Sequence, residues 1–170
     1  MAEVGCVEIN TSEAERAALV SFYEAFRGVH WRFSDNWLVD DPCVNHWYGI
    51  DCNTEGNIIV IHLFENHLNG TDFPENFYDL KYLKHLSIFN GDWEHENVLN
   101  TNRNVLTKLP LSFAHFPDLE EINFAYIQTL QVSIPSDLLS CTKLKYINFA
   151  NNAMTGPLPS QPGWEHLTRL

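Results

Sequence analysis

Two cysteines nine positions apart, Cys43 and Cys52, stand in the stretch WLVDDPCVNHWYGIDC among aspartates, an asparagine, a histidine and two tryptophans. Three chemistries suit such a group: a metal site, a thiol redox centre or a structural disulfide. Zinc ligands come as closely spaced pairs matched by a second cluster, and redox thiols favour C-x-x-C. A spacing of nine with no second cluster favours a local disulfide, Cys43 to Cys52. A metal site recruiting His46 and a pair of free thiols are the alternatives. A second string, His95-Glu96, begins like the HExxH zinc motif, but position 99 is Leu, so the second histidine is lacking. There is no GxSxG, no GxGxxG and no phosphate-binding loop, and no carboxylate pair is marked by its spacing. The expectation is a non-enzyme with no catalytic residues, no metal and no cofactor.

Composition narrows the partners. The chain has 170 residues, 45% hydrophobic and 13% aromatic, enough for one core or a short repeat array. Its formal net charge of -12 repels a phosphate backbone, so nucleic acid is not expected, nor is an anionic membrane. No apolar run reaches the roughly 18 residues a membrane-spanning helix needs. Met1 to Asn10 lacks the basic and apolar regions of a signal peptide. Two N-glycosylation sequons, at Asn10 and Asn69, point weakly to secretion.

The elements that position these groups follow from periodicity. Ser12-Glu13-Ala14-Glu15 is a capping box. Behind it Ala18, Leu19, Phe22, Tyr23 and Phe26 fall at helical spacing, and Gly28 is expected to stop the run. From residue 58 the pattern LxxLxLxxNxLxGxIP recurs, with starts at 58, 83, 119 and 144, spaced 25, 36 and 25 residues apart. The middle spacing contains an insertion of about 11 residues, placed at about 91–104. LxxLxL suits a short half-buried strand, the Asn can satisfy backbone groups of the neighbouring coil, and Pro ends the segment without needing a donor. Between coils, Phe77, Leu80 and Leu83, then Phe113, Phe116 and Leu119, then Leu138, Cys141 and Leu144 recur at spacing three, as a 3₁₀ return segment requires. The same column continues to Trp164. Cys141 is therefore expected as a buried thiol acting as a small hydrophobe. A fifth repeat begins at Leu167 and breaks off at Leu170 with no cap, as a fragment or a dimer end would.

NNAMTGPLP (Asn151 to Pro159), NHLNGTDFP (Asn66 to Pro74) and the cap segment DPCVNHWYGIDCNTEGNIIVIHL resemble the plant-type leucine-rich-repeat family. Some secreted protist wall proteins are similar in cap and repeats. The resemblance covers roughly residues 13 to 170. It implies an α/β, right-handed, horseshoe-like solenoid with a parallel sheet on its concave side, a further layer of short strands, and a helical, disulfide-clasped N-terminal cap. The division is then an extension at 1–11, the cap at 12–57 and repeats at 58–170. Gly91 and Ile127 stand where the family has its Asn. Cys6 lies upstream of the helix, but position 44, where a partner cysteine is usual, is Val.

Strand alternation places three outward columns on the concave face: Val60, His85, Glu121, Tyr146; His62, Ser87, Asn123, Asn148; and Phe64, Phe89, Ala125, Ala150, with Tyr126 just after. Candidate ligand-binding residues are Val60, His62, Phe64, His85, Phe89, Glu121, Asn123, Tyr126, Tyr146 and Asn148. Phe64 and Phe89 are expected side by side and exposed, and His62 and His85 within reach of one another. The function expected is non-enzymatic recognition by an extracellular protein that binds protein or peptide on this face. A structural matrix or wall protein that binds glycan is the alternative. The secreted location presumes a leader outside this sequence, and nothing in the residues sets an oligomeric state.

Overall fold

The structure is a computed structural model that describes residues 10–91 and 103–157. Cys6, the His95-Glu96 string, Trp164 and the fifth repeat start at Leu167 lie outside them.

The helix α1 spans Glu13–Ala25. Ser12 caps it: its hydroxyl accepts from the Glu15 N–H at 3.3 Å and donates to the Glu15 carboxylate at 2.9 Å. The other Glu15 oxygen accepts the Ile58 N–H at 3.0 Å, so one buried carboxylate ties the cap to the first repeat strand. Ala18, Leu19, Phe22, Tyr23 and Phe26 are all buried. The stop differs from the expected one. Arg27 takes the left-handed backbone (φ 56), not Gly28. Gly28 is needed for space: a Cβ there would lie 2.1 Å from the Tyr23 ring.

Strands β1 (Ile50–Cys52), β2 (Ile58–Phe64), β4 (His85–Phe89), β6 (Glu121–Asn123) and β7 (Tyr146–Asn148) form one sheet in the order β1-β2-β4-β6-β7. β1 runs antiparallel to β2, and the other neighbours are parallel. β1 is not foreseen by the repeat pattern. It covers the first edge of the parallel strands from within the disulfide loop, and Gly49 (φ 77) makes its entry turn, where a Cβ would meet the His62 carbonyl oxygen at 2.4 Å. β3 (Asn69–Gly70) and β5 (Val105–Leu106) form a second, two-stranded sheet, the further layer that the resemblance implied.

Behind the main sheet, 3₁₀ turns at Glu75–Asp79 and Ser136–Ser140 carry the return path. Phe77, Leu80, Leu83, Phe113, Phe116, Leu119, Leu138, Cys141 and Leu144 all point into the core, as spacing three foretold. The Cys141 thiol donates to the Phe113 carbonyl at 3.3 Å, and burial, with the nearby Asp137 charge, pushes it up to about 12. Its neutral form is thus favoured by folding. That contribution is fully present below the ordinary thiol value of 9.0 and is lost as pH rises towards 12. Cys141 is expected to resist a thiol reagent at pH 8 in native protein and to react on unfolding. Equal rates in the two states, measured by mass spectrometry of the Cys141 peptide, would refute this burial.

An asparagine ladder joins the coils, and here the sequence expectation is corrected. Asn104, assigned to the end of the insertion, makes the ladder contacts for which the resemblance pointed to position 91. Its side-chain oxygen accepts the N–H groups of Asn66 and Leu68 at 3.0 and 3.1 Å. Its amide donates to the carbonyls of Leu63 and Phe89 at 2.8 and 3.0 Å. Asn90 adds the link that Ile127 cannot make, donating to Tyr126 and Asn104 carbonyls at 3.1 and 3.0 Å. Asn66 and Asn152 serve the first and fourth coils, paired with the backbone of Phe33 and of Ile127 and Phe124.

Candidate functional site

The site begins with strand register. Val60 pairs with His85, His62 with Ser87 and Phe64 with Phe89. His85 pairs in turn with Glu121 and Ser87 with Asn123, and these with Tyr146 and Asn148. The first two columns and the Phe64–Phe89 pair of the third therefore lie on one face as alternation requires, because the period of two leaves the opposite side chains to the core.

Two groups divide this face. The first is aromatic. Phe64 and Phe89 lie 5.0 Å apart between ring centres, and the His62 ring stands edge-on to Phe89 at 5.3 Å. Phe64 is 38% exposed and His62 is also exposed, whereas Phe89, expected to be exposed, is half-buried between them. The second is polar. Glu121 accepts from the Ser87 hydroxyl at 3.0 Å with one oxygen and lies 3.3 Å from His85 Nδ1 with the other. Beyond it the Asn148 amide donates to the Tyr146 hydroxyl at 3.0 Å. Along the rim, Lys145 bonds Glu120, which holds that carboxyl below its ordinary value against the opposing effect of burial.

Several expected residues stand differently. The His62 ring stands against Phe89, and His85 lies against Glu121. Asn123 and Ser87 face the right way but are buried at 9% and 1% exposure. Asn123 uses its oxygen on the Ala125 N–H at 3.2 Å, so it shapes the surface and offers little of itself. Tyr126 is half-buried with φ 60, and Glu65 and Asn151, seven residues after their repeat starts as Tyr126 is, also have positive φ. Ser87 belongs to the polar group through Glu121, although spacing alone marked it only as a column member. Glu65 was also missed: buried, it accepts the Gly91 N–H at 2.9 Å and secures the chain where it leaves the aromatic group.

The clasp is a disulfide between Cys43 and Cys52. Asn10 and Asn69 are both exposed. Among the described residues, no group of three or more His, Cys, Asp or Glu is placed to hold a metal ion. No helix among them is long and apolar enough to cross a membrane.

No protein-family model matches the chain. Two curated Arabidopsis thaliana proteins are similar in sequence. Receptor-like protein kinase BRI1-like 3 is 24% identical over 78% of this chain and 10% of its own length. Receptor-like protein kinase 7 is 26% identical over 87% of this chain and 12% of its own. The chain thus spans about a tenth of the length of these relatives. Among solved structures, the leucine-rich-repeat ectodomain of the Arabidopsis thaliana receptor kinase SOBIR1 superposes with a TM-score of 0.72 at 19% identity, covering 95% of this chain and 79% of that one. The chain has the plant-type leucine-rich-repeat fold. A plant ice-binding protein shares this fold at TM-score 0.70 and 22% identity, over 95% of this chain and 47% of its own. A chain of the Arabidopsis thaliana BIR3–SERK2 complex does so at 0.62 and 20%, over 90% and 77%. In leucine-rich-repeat terms, the candidate site is the exposed strand face of coils one to four, and the displaced Asn104 is the second coil's ladder residue.

Proposed function

We propose that this chain is a non-catalytic recognition module of an extracellular leucine-rich-repeat protein, and that it binds protein or peptide through the strand face. Its coils would wind as a right-handed solenoid behind the cap at 12–57, and Asn69 and Asn10 would carry N-glycans. The aromatic group of Phe64, Phe89 and His62 carries this reading. Partly exposed aromatics on the same face as a hydrogen-bonded Glu121 and His85 pair combine desolvation with directional contacts, the usual make-up of a binding hot spot. The fold supports it too: a chain of similar fold occurs in a BIR3–SERK2 complex.

Peptides selected from a random library on the immobilised chain provide the test, with a glycan array in parallel. The double variant Phe64→Ala, Phe89→Ala should bind the selected peptides about 10–100-fold more weakly, a loss of roughly 1.4–2.7 kcal/mol for the pair, with its melting temperature little changed. Selected peptides that bind wild type and double variant equally would remove the strand face as the site. Binding to glycans alone would replace the peptide reading.

A further inference from the structure

The loop at residues 35–46, between the cap helix and β1, combines two features that folding alone does not reward. Four non-glycine residues in it have left-handed backbone: Asn36 (φ 61), Leu38 (φ 68), Asp40 (φ 38) and His46 (φ 51). Asn and Asp tolerate this region, but a branched side chain such as Leu38 is strained there. The second feature is exposure. Leu38, Val39 and Val44 are 45%, 47% and 56% exposed, whereas Trp37 in the same loop and Trp47 just after it are buried.

The loop is held in this shape from several sides. Trp47 donates through its indole to the Val39 carbonyl at 2.8 Å, and Trp37 likewise to Tyr48 at 2.9 Å. Asn36 donates to Asn45 at 2.7 Å, and Arg16 to the Asp40 carbonyl at 2.5 Å. Asp41 accepts the N–H groups of Thr11, Cys43 and Val44. Burial pushes its carboxyl up, but these bonds outweigh that and hold it below the ordinary value, so it remains charged. The disulfide closes the far side. A rigid, strained loop that keeps aliphatic side chains in water is preorganised for contact.

Charge indicates the partner. From Asp35 to Gly56 the chain carries Asp35, Asp40, Asp41, Asp51 and Glu55 and no lysine or arginine. Arg16, which reaches the loop from α1, lies over the Trp47 ring at 5.8 Å.

We propose that Leu38, Val39 and Val44 form a second docking surface, separate from the strand face, for a protein segment with aliphatic side chains flanked by lysine or arginine. The aliphatic residues supply contact area and the acidic surround favours basic flanks. The same charge disfavours an anionic membrane and a second copy of this chain, whose net charge is -12.

Amide chemical shifts of the labelled chain, titrated with the synthetic peptides KVKLKIK and KSKSKSK, test the proposal. The first should perturb amides within 36–46 and bind at least tenfold more tightly than the second. Leu38→Asn should weaken KVKLKIK at least fivefold while leaving the melting temperature equal or higher, because Asn accepts the left-handed backbone. Val44→Ser, at a residue with ordinary φ, should weaken it as well. Equal binding of the two peptides, perturbation confined to the strand face, unchanged affinity in both variants, or a dimer that Val44→Ser dissociates would each overturn the proposal.

Discussion

Asn104→Ala is expected to lower unfolding free energy by about 3–5 kcal/mol, at the upper end of single substitutions. The side chain is buried and makes four hydrogen bonds to backbone groups of Leu63, Asn66, Leu68 and Phe89. A deleted partner leaves each buried group with a desolvation cost of about 1–3 kcal/mol, partly relieved by relaxation or entering water. The loss spans two coils, because Leu63 and Leu68 flank the first turn and Phe89 ends β4. Asn104→Asp tests the chemistry separately. It keeps the two accepted bonds but loses both donated ones, so it should still cost most of the effect. Denaturant unfolding checks both, and a cost below about 1 kcal/mol for Asn104→Ala would show that the ladder is not a principal support.

Phe22→Ala is expected to cost about 3–5 kcal/mol, as large-to-small changes of buried phenylalanine do. Phe22 is fully buried and sits where the cap meets the repeats. Its ring lies 4.8 Å from Phe26 and 5.9 Å from Trp31 on the cap side, and 6.0 and 5.4 Å from Phe73 and Phe77 in the first coil. No neighbouring ring can swing into the space without leaving another contact. The disulfide, by comparison, contributes roughly 2–3 kcal/mol by loop-closure entropy at this spacing. Hydrogen exchange should rise first in α1 and β2, since Glu15 carries the Ile58 N–H on the same helix. Exchange that instead rose uniformly to β7 would mean that cap and coils open as one unit.

The fold was legible where local periodicity and packing agree. Apolar residues at spacing two and three mark the strands and return turns directly, since each coil buries one side and must repeat that pattern to stack. The capping box at Ser12 and Glu15 was readable for a similar reason: its chemistry is contained in four successive residues. Arg27 was not, because glycine is the usual left-handed residue and only the ring of Tyr23 shows that Gly28 is there for space. β1 escaped because its three residues carry no period and gain their pairing only from β2.

For the candidate site, residue types and spacing alone determined the outward columns, the adjacency of Phe64 and Phe89, and the suitability of Cys43 and Cys52 for a disulfide. These follow from a strand period of two and a constant repeat length, which need no knowledge of distant contacts. Only the tertiary structure decided that Asn123 and Ser87 are covered, that His85 meets Glu121, and that Asn104 belongs to the ladder across an inserted segment. It also decided that Leu38, Val39 and Val44 stand in water on a strained loop. Each of these depends on which coil lies beside which, at what register, and on how neighbouring side chains share the available space. Those are properties of the stacked chain, and no single repeat contains them.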